Sequence, residues 1–204
     1  MKIGIMGGTF DPVHNGHLML AEEAYKQFQL DEVWFMPNGN PPHKSAHAPE
    51  ASAKQRAEMV KKAITGTEYF RLEDYEVQSG EISYSYKTME HLRKKYPDHD
   101  FYFIIGADSL FTLCHWMKPE RLMAACTILA ACRGEIDTRD KMNRQIADLT
   151  RRYGAKIEIL PAPLMAVSSQ EIRASLMDDD EKLQTCIPSE TYKYIKDKQL
   201  YKGC

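Results

Sequence analysis

Nowhere in this chain of 204 residues do eighteen apolar residues run together, so no segment qualifies as a membrane-spanning helix. Cysteine is sparse. Cys114, Cys126, Cys132, Cys186 and Cys204 are odd in number and contain no CxxC pair, which excludes a disulfide framework and the ligand spacing of structural zinc. The histidines do not suggest a metal site either: His43 and His47 sit in a Pro-rich loop, while His91, His99 and His115 are scattered. Charge of one sign is also missing. Lys plus Arg number 27 against 29 Asp plus Glu, a formal net charge of -2, so no global basic field draws nucleic acid or an anionic membrane. Any phosphate binding must be local. The first apolar stretch is broken at Gly7-Gly8, too short for a secretory h-region, so cytoplasmic residence is the expectation. No repeat, low-complexity segment or Gly/Ser linker marks a boundary. One domain over 1–204 is expected, its C-terminal helical segment from about 168 packed on the rest.

What is present is an alternation. Lys2-Met6, Val33-Met36, Phe70-Leu72, Phe101-Ile105, Thr127-Ala131 and Ile157-Leu160 read as short buried strands. Helical patterns lie between them: Leu18, Ala21, Ala24, Tyr25 and Phe28 form one face, and Ala57, Met59, Val60, Ala63 and Ile64 another, with Ser52 as a cap. Asp137 to Tyr153 reads as a surface helix ending in a solvated Arg151-Arg152 pair, and Ser189 as the cap of a terminal helix. The alternation predicts an α/β fold, a doubly wound and mostly parallel sheet with right-handed crossovers and ligands at the carboxyl ends of its strands. Asn38 to Pro49 is the least regular stretch, a loop able to carry binding groups.

The most informative segment is Gly7-Gly8-Thr9-Phe10-Asp11-Pro12-Val13-His14-Asn15-Gly16-His17. A strand ends at paired glycines, where the backbone is free to take positive φ, and the chain re-enters a helix near Asn15 or Gly16. The spacing of His14 and His17 puts both imidazoles on one side of the first turn, beside unsatisfied N–H groups and the positive end of the helix dipole. Such a corner suits a polyphosphate.

This segment resembles the HxGH nucleotidylyltransferases. With Met36-Pro37, Pro41-Pro42-His43-Lys44, Ile104-Ile105-Gly106-Ala107-Asp108-Ser109 and Val167-Ser168-Ser169-Gln170-Glu171-Ile172-Arg173, it is similar to the bacterial nicotinate mononucleotide adenylyltransferases from first strand to last helix. The resemblance implies a Rossmann-like nucleotidylyltransferase fold. It also implies an enzyme that joins ATP to nicotinate mononucleotide, giving nicotinate adenine dinucleotide and pyrophosphate, with Mg²⁺ carried by the ATP phosphates. Adenylyl transfer needs no protein nucleophile, because the 5′-phosphate oxygen is already anionic; the site must align and neutralise two polyanions.

On that reading His14 and His17 bond phosphate oxygens, and the backbone at Gly7, Gly8, Thr9 and Phe10 lies against the nucleotide. Ser168 and Ser169 begin a helix with Arg173 one turn along; the residues alone fit an anion site or a plain capping box, and the resemblance sets Arg173 toward the distal phosphates. Asp108, with Gly106, suits a ribose hydroxyl or the cap of a short helix. Lys44 alone is an ordinary solvated lysine, and the resemblance puts it over the reacting phosphates. The nicotinate ring falls to Trp116, by itself more often a core residue, as at Trp34, and its carboxylate to backbone amides near Ser85 and Met117. Lys87 replaces a frequent acidic residue, and Cys132-Arg133-Gly134 lacks the usual proline-glycine turn. A phosphopantetheine-type transferase and a non-catalytic nucleotide sensor are the alternatives. The partners implied are the two substrates, with no nucleic acid or membrane. Oligomeric state is left open, a homodimer included.

Overall fold

The computed structural model describes residues 1–42, 48–132, 136–163, 167–178 and 181–202. In chain order the elements are β1 (Lys2–Gly8), α1 (Asn15–Phe28), β2 (Glu32–Pro37), α2 (Ala53–Ala63), β3 (Phe70–Leu72), α3 (Tyr75–Ser79), α4 (Ser85–Lys95), β4 (Asp100–Gly106), α5 (Ala107–Thr112), α6 (Pro119–Ala125), β5 (Thr127–Cys132), α7 (Ile136–Tyr153), β6 (Ile157–Pro161), α8 (Ser169–Met177) and α9 (Ser189–Asp197). Short 3₁₀ turns at Leu113–His115 and Glu181–Cys186 complete the chain.

The strands form a six-stranded sheet in the order β3-β2-β1-β4-β5-β6, and every pairing is parallel. Inner strands of such a sheet are buried on both faces, so their side chains divide by parity between two cores. Ile3, Ile5, Trp34, Met36, Phe101, Phe103, Ile105, Ile128 and Ala130 face α4, α6 and α7, which contribute Met89, Leu92, Leu122, Met142 and Leu149. Met6, Val33, Phe35, Ile104, Leu129 and Leu160 face α1, α2, α8 and α9, which contribute Ala21, Ala24, Met59, Val60, Ile172 and Ile195. The sheet, the two helical layers and Trp34 as core all match expectation.

The winding reverses between β1 and β4, because the chain leaves β1 toward β2 on one side and later returns to β4 on the other. A crevice opens at such a switch point beyond the carboxyl ends of the two strands. The C-terminal segment packs back on the sheet layer at α2, where the Thr191 hydroxyl donates to the Met59 carbonyl at 3.0 Å.

Two local expectations are corrected. Gly7 and Gly8 stay in extended register opposite Met36 and Pro37, and the left-handed residue of this corner is Phe10, at φ 52. Glycine at position 8 leaves room for the Phe10 ring, which a Cβ there would crowd at 3.0 Å. At the far end, the cap position of α9 falls on Pro188 with no side-chain bond, so Ser189 is its first helical residue and not its cap.

Candidate active site

A cleft of about 1060 Å³ occupies the switch point. Gly7, Gly8 and Thr9 line it from the end of β1, Gly106 and Ser109 from the end of β4, and His14 and His17 from the start of α1. Ser85, Trp116 and Met117 line another part, and Ser168 and Ser169 a third.

His14 occupies the cap position of α1 in extended backbone, and the helix begins at Asn15 as expected. The two imidazoles lie 3.7 Å apart between ring centroids, and the Phe10 ring meets His17 edge-on at 5.0 Å. The backbone N–H of His14 donates to Nδ1 of His17 at 3.2 Å. A nitrogen that accepts such a bond carries no proton, so the bond assigns the neutral His17 tautomer with its proton on Nε2. Burial, and then the neighbouring His14, push the His17 pKa well below its ordinary value. His17 is therefore an uncharged, preoriented N–H donor at the end of β1.

Of the two parts considered for the serines the structure shows the capping box, and both residues line the cleft. Ser168 caps α8, its Oγ accepting from the Glu171 N–H at 3.2 Å while Glu171 accepts from the Ser168 N–H at 2.8 Å, a full capping box. The Ser169 hydroxyl donates to the Pro12 carbonyl at 2.9 Å, tying α8 to the loop before α1. Arg173 does not line the cleft. Its Nε donates to Glu50 at 2.8 Å and its Nη1 to the Asp11 carbonyl at 2.7 Å. Phe10 is buried beneath Gly8 and His17 as a floor. Asp108 is exposed in the first turn of α5, off the cleft wall, and the cap position of that helix is Gly106. Lys44, Arg133 and Gly134 lie outside the described residues. Lys87 is an exposed partner of Glu81 at 3.0 Å.

Trp116 is half-buried; it packs edge-on to Phe103 with centroids 6.5 Å apart and also lines the cleft. Ser85 is the first residue of α4, so the positive end of that helix lies at the same wall.

The family model described as cytidylyltransferase-like matches residues 5–175. A protein of Lachnoclostridium phytofermentans named a probable nicotinate-nucleotide adenylyltransferase is 40% identical over 194 residues, 95% of this chain and 96% of its own. One of the same name from Clostridium botulinum strain Loch Maree is 36% identical over 198 residues, 97% of this chain and 98% of its own. The chain belongs to the cytidylyltransferase-like family, among the nicotinate-nucleotide adenylyltransferases. Its fold is that of solved members. The Plasmodium falciparum nicotinic acid mononucleotide adenylyltransferase complexed with NaAD superposes at a TM-score of 0.79 with 22% identity, over 98% of this chain and 97% of that one. The same enzyme complexed with APC gives 0.77 at 21%, over 98% and 96%.

Several residues of this family member's site escaped the sequence reading. Asn38 lines the cleft, and its amide donates to the Thr9 hydroxyl at 3.1 Å. Behind it lies Arg56, 1% exposed. Burial lowers its pKa from the ordinary arginine value. Glu76 is a buried carboxylate on the cleft wall that accepts from the Thr88 hydroxyl at 2.6 Å, and burial raises its pKa against the bonds from Thr88 and Ser83. The Ser83 Oγ accepts from the N–H groups of Gly39 and Asn40 at 3.0 and 3.2 Å. At Gly39 the backbones touch: a Cβ there would lie 2.0 Å from the Glu76 carbonyl oxygen. One signal pointed to Arg56. It shares the buried face of α2 with Met59 and Val60, a polar residue at an apolar helical position.

Proposed function

We infer that this chain transfers the adenylyl group of ATP to nicotinate mononucleotide, producing nicotinate adenine dinucleotide and pyrophosphate. An oxygen of the mononucleotide 5′-phosphate attacks the α-phosphorus of ATP, and the bond from that phosphorus to the oxygen bridging toward the β-phosphate breaks. The attacking oxygen is already anionic, so the opposing factor is repulsion between two polyanions.

The observation that carries the reading is His17. A neutral Nε2–H donor, fixed by the backbone N–H of its own helix cap, stands at the switch-point cleft and has little to reorganise as charge grows on the α-phosphate. His14 beside it and the first turn of α1 add donors of the same sign. The N-terminus of α4 at Ser85, with Met117 on the same cleft, suits the nicotinate carboxylate, and the Trp116 ring suits the pyridine. The resemblance also gives Arg173 to the distal phosphates, Lys44 to the reacting phosphates and Asp108 to a ribose hydroxyl; neither Arg173, held by Glu50 and Asp11, nor Asp108 lines the cleft as it stands. The names of the relatives support the same substrate pair.

Mg²⁺ enters with ATP on its phosphate oxygens and offsets their charge. Among the described residues no three His, Cys, Asp or Glu side chains draw together to hold a metal. The buried Asp11 carboxylate accepts from the Glu50 and Ala51 N–H groups and from Tyr201, so its oxygens are engaged. In this reading the metal is borne by the substrate. Among the described residues no helix is long and apolar enough to cross a membrane.

Purified protein mixed with ATP, Mg²⁺ and either nicotinate or nicotinamide mononucleotide, with the products resolved chromatographically, tests the reading. The acid dinucleotide with equimolar pyrophosphate is the expected product. ATP binding without turnover would make the chain a sensor, and adenylylation of phosphopantetheine instead would make it another HxGH transferase.

A further inference from the structure

Arg56 spends its whole hydrogen-bonding capacity on uncharged oxygens. Its Nε donates to the Ala51 carbonyl at 3.2 Å. Nη1 donates to the Thr9 carbonyl at 2.6 Å and the Asn38 side-chain oxygen at 3.0 Å. Nη2 donates to the carbonyls of Asn38 at 2.8 Å and Gly39 at 3.4 Å. No carboxylate is among these partners; Asp11 acts on it only through space. A buried guanidinium without a contacting counter-ion is an expensive arrangement.

Its location supplies the reason. Thr9 and Asn38 both line the cleft, so the guanidinium lies one residue's thickness behind the wall. Left to themselves, the carbonyls of Thr9 and Asn38 would be free to face the cleft and repel a phosphate. Arg56 holds both back. Its charge is not cancelled by a contacting anion, and a low-dielectric wall screens it far less than water would.

We propose that Arg56 is a positioning residue for adenylyl transfer, one that draws the Thr9 and Asn38 carbonyls away from the nucleotide and lends its positive charge to the polyphosphate through the cleft wall. The proposal rests on the adenylyl-transfer reading of this cleft.

The test compares ATP and adenosine affinities by calorimetry, with steady-state kinetics, for the unaltered chain, Arg56→Gln and Arg56→Lys. Adenosine has no phosphate, so the affinity ratio isolates the charge. In Arg56→Gln the preference for ATP over adenosine falls about tenfold or more. Arg56→Lys keeps the charge but has one donor centre, so the ratio stays within about threefold while kcat falls at least tenfold. A purely structural role would lower the melting temperature and leave the ratio alone, so an unchanged ratio in Arg56→Gln overturns the proposal. Should that variant fail to fold, Arg56→Lys still decides: loss of the ratio, or an undiminished kcat, overturns it. Dinucleotide synthesis by the unaltered chain separates the two levels. Turnover with an unaltered ratio in Arg56→Gln sinks Arg56 alone, whereas no turnover sinks the reading of the cleft as well.

Discussion

The phenol of Tyr201 donates to the carboxylate of Asp11 at 2.6 Å, joining the end of the chain to the loop that carries the histidines. Asp11 also accepts from the N–H groups of Glu50 and Ala51, at 2.9 and 3.1 Å, and its carbonyl takes Arg173. Three remote segments therefore meet on one residue. Burial, and then the bond to Asp11, push the Tyr201 pKa far up, so the phenol is a permanent donor. Tyr201→Phe removes one partner of a buried charged acceptor and should lower unfolding stability by about 1–3 kcal/mol, read from the urea midpoint at unchanged slope. An unshifted midpoint would show that the tail does not hold the loop.

His17→Ala should remove an interaction that strengthens as charge develops at the α-phosphate, while leaving ATP affinity largely intact. The loss belongs in kcat, on the order of a hundredfold or more for one preorganised donor. A surviving kcat with only a raised KM for ATP would move His17 from chemistry to binding.

Acid should destabilise the fold through the same ring. In the unfolded chain His17 takes up a proton as pH falls through about 6.5, whereas in the folded chain it does so only well below that value. The unfolded state then binds more protons over this window, so stability is full above it and declines as pH drops. The melting temperature should fall between about pH 7 and pH 5, and less steeply in His17→Gln. Equal slopes in the two proteins would exclude His17 as the titrating group.

Arg173 bridges Asp11 and Glu50 without touching the cleft wall. If its guanidinium also serves the distal phosphates, Arg173→Ala weakens ATP binding by more than it weakens AMP, which lacks those phosphates. Isothermal titration with both nucleotides decides the point. Equal weakening would confine Arg173 to holding α8 against the loop.

Much of this was readable from the chain. Apolar runs of β-branched and aromatic residues mark the strands, and the HxGH segment marks the start of α1, because both rest on local patterns. What escaped depends on distant pairing. Phe10 turns left-handed while its ring packs against Phe35 and His17, and the apolar helical position of Arg56 has no explanation until Thr9 and Asn38 are brought to it. The partners of Arg173 are equally non-local: Glu50 stands 123 positions away, and no periodicity connects them.

The contact of Gly39 with the Glu76 carbonyl makes the cleft wall unequal from place to place toward anything synthesised to fill it. On the Asn38 side, backbone rests on backbone, and a substituent grown in that direction meets a wall with no give. Met117, also on the cleft wall, is 53% exposed, an unbranched thioether able to change rotamer and reshape around a larger group. Compounds elaborated toward Met117 should tolerate bulk, whereas those elaborated toward Asn38 should be discriminated almost atom by atom.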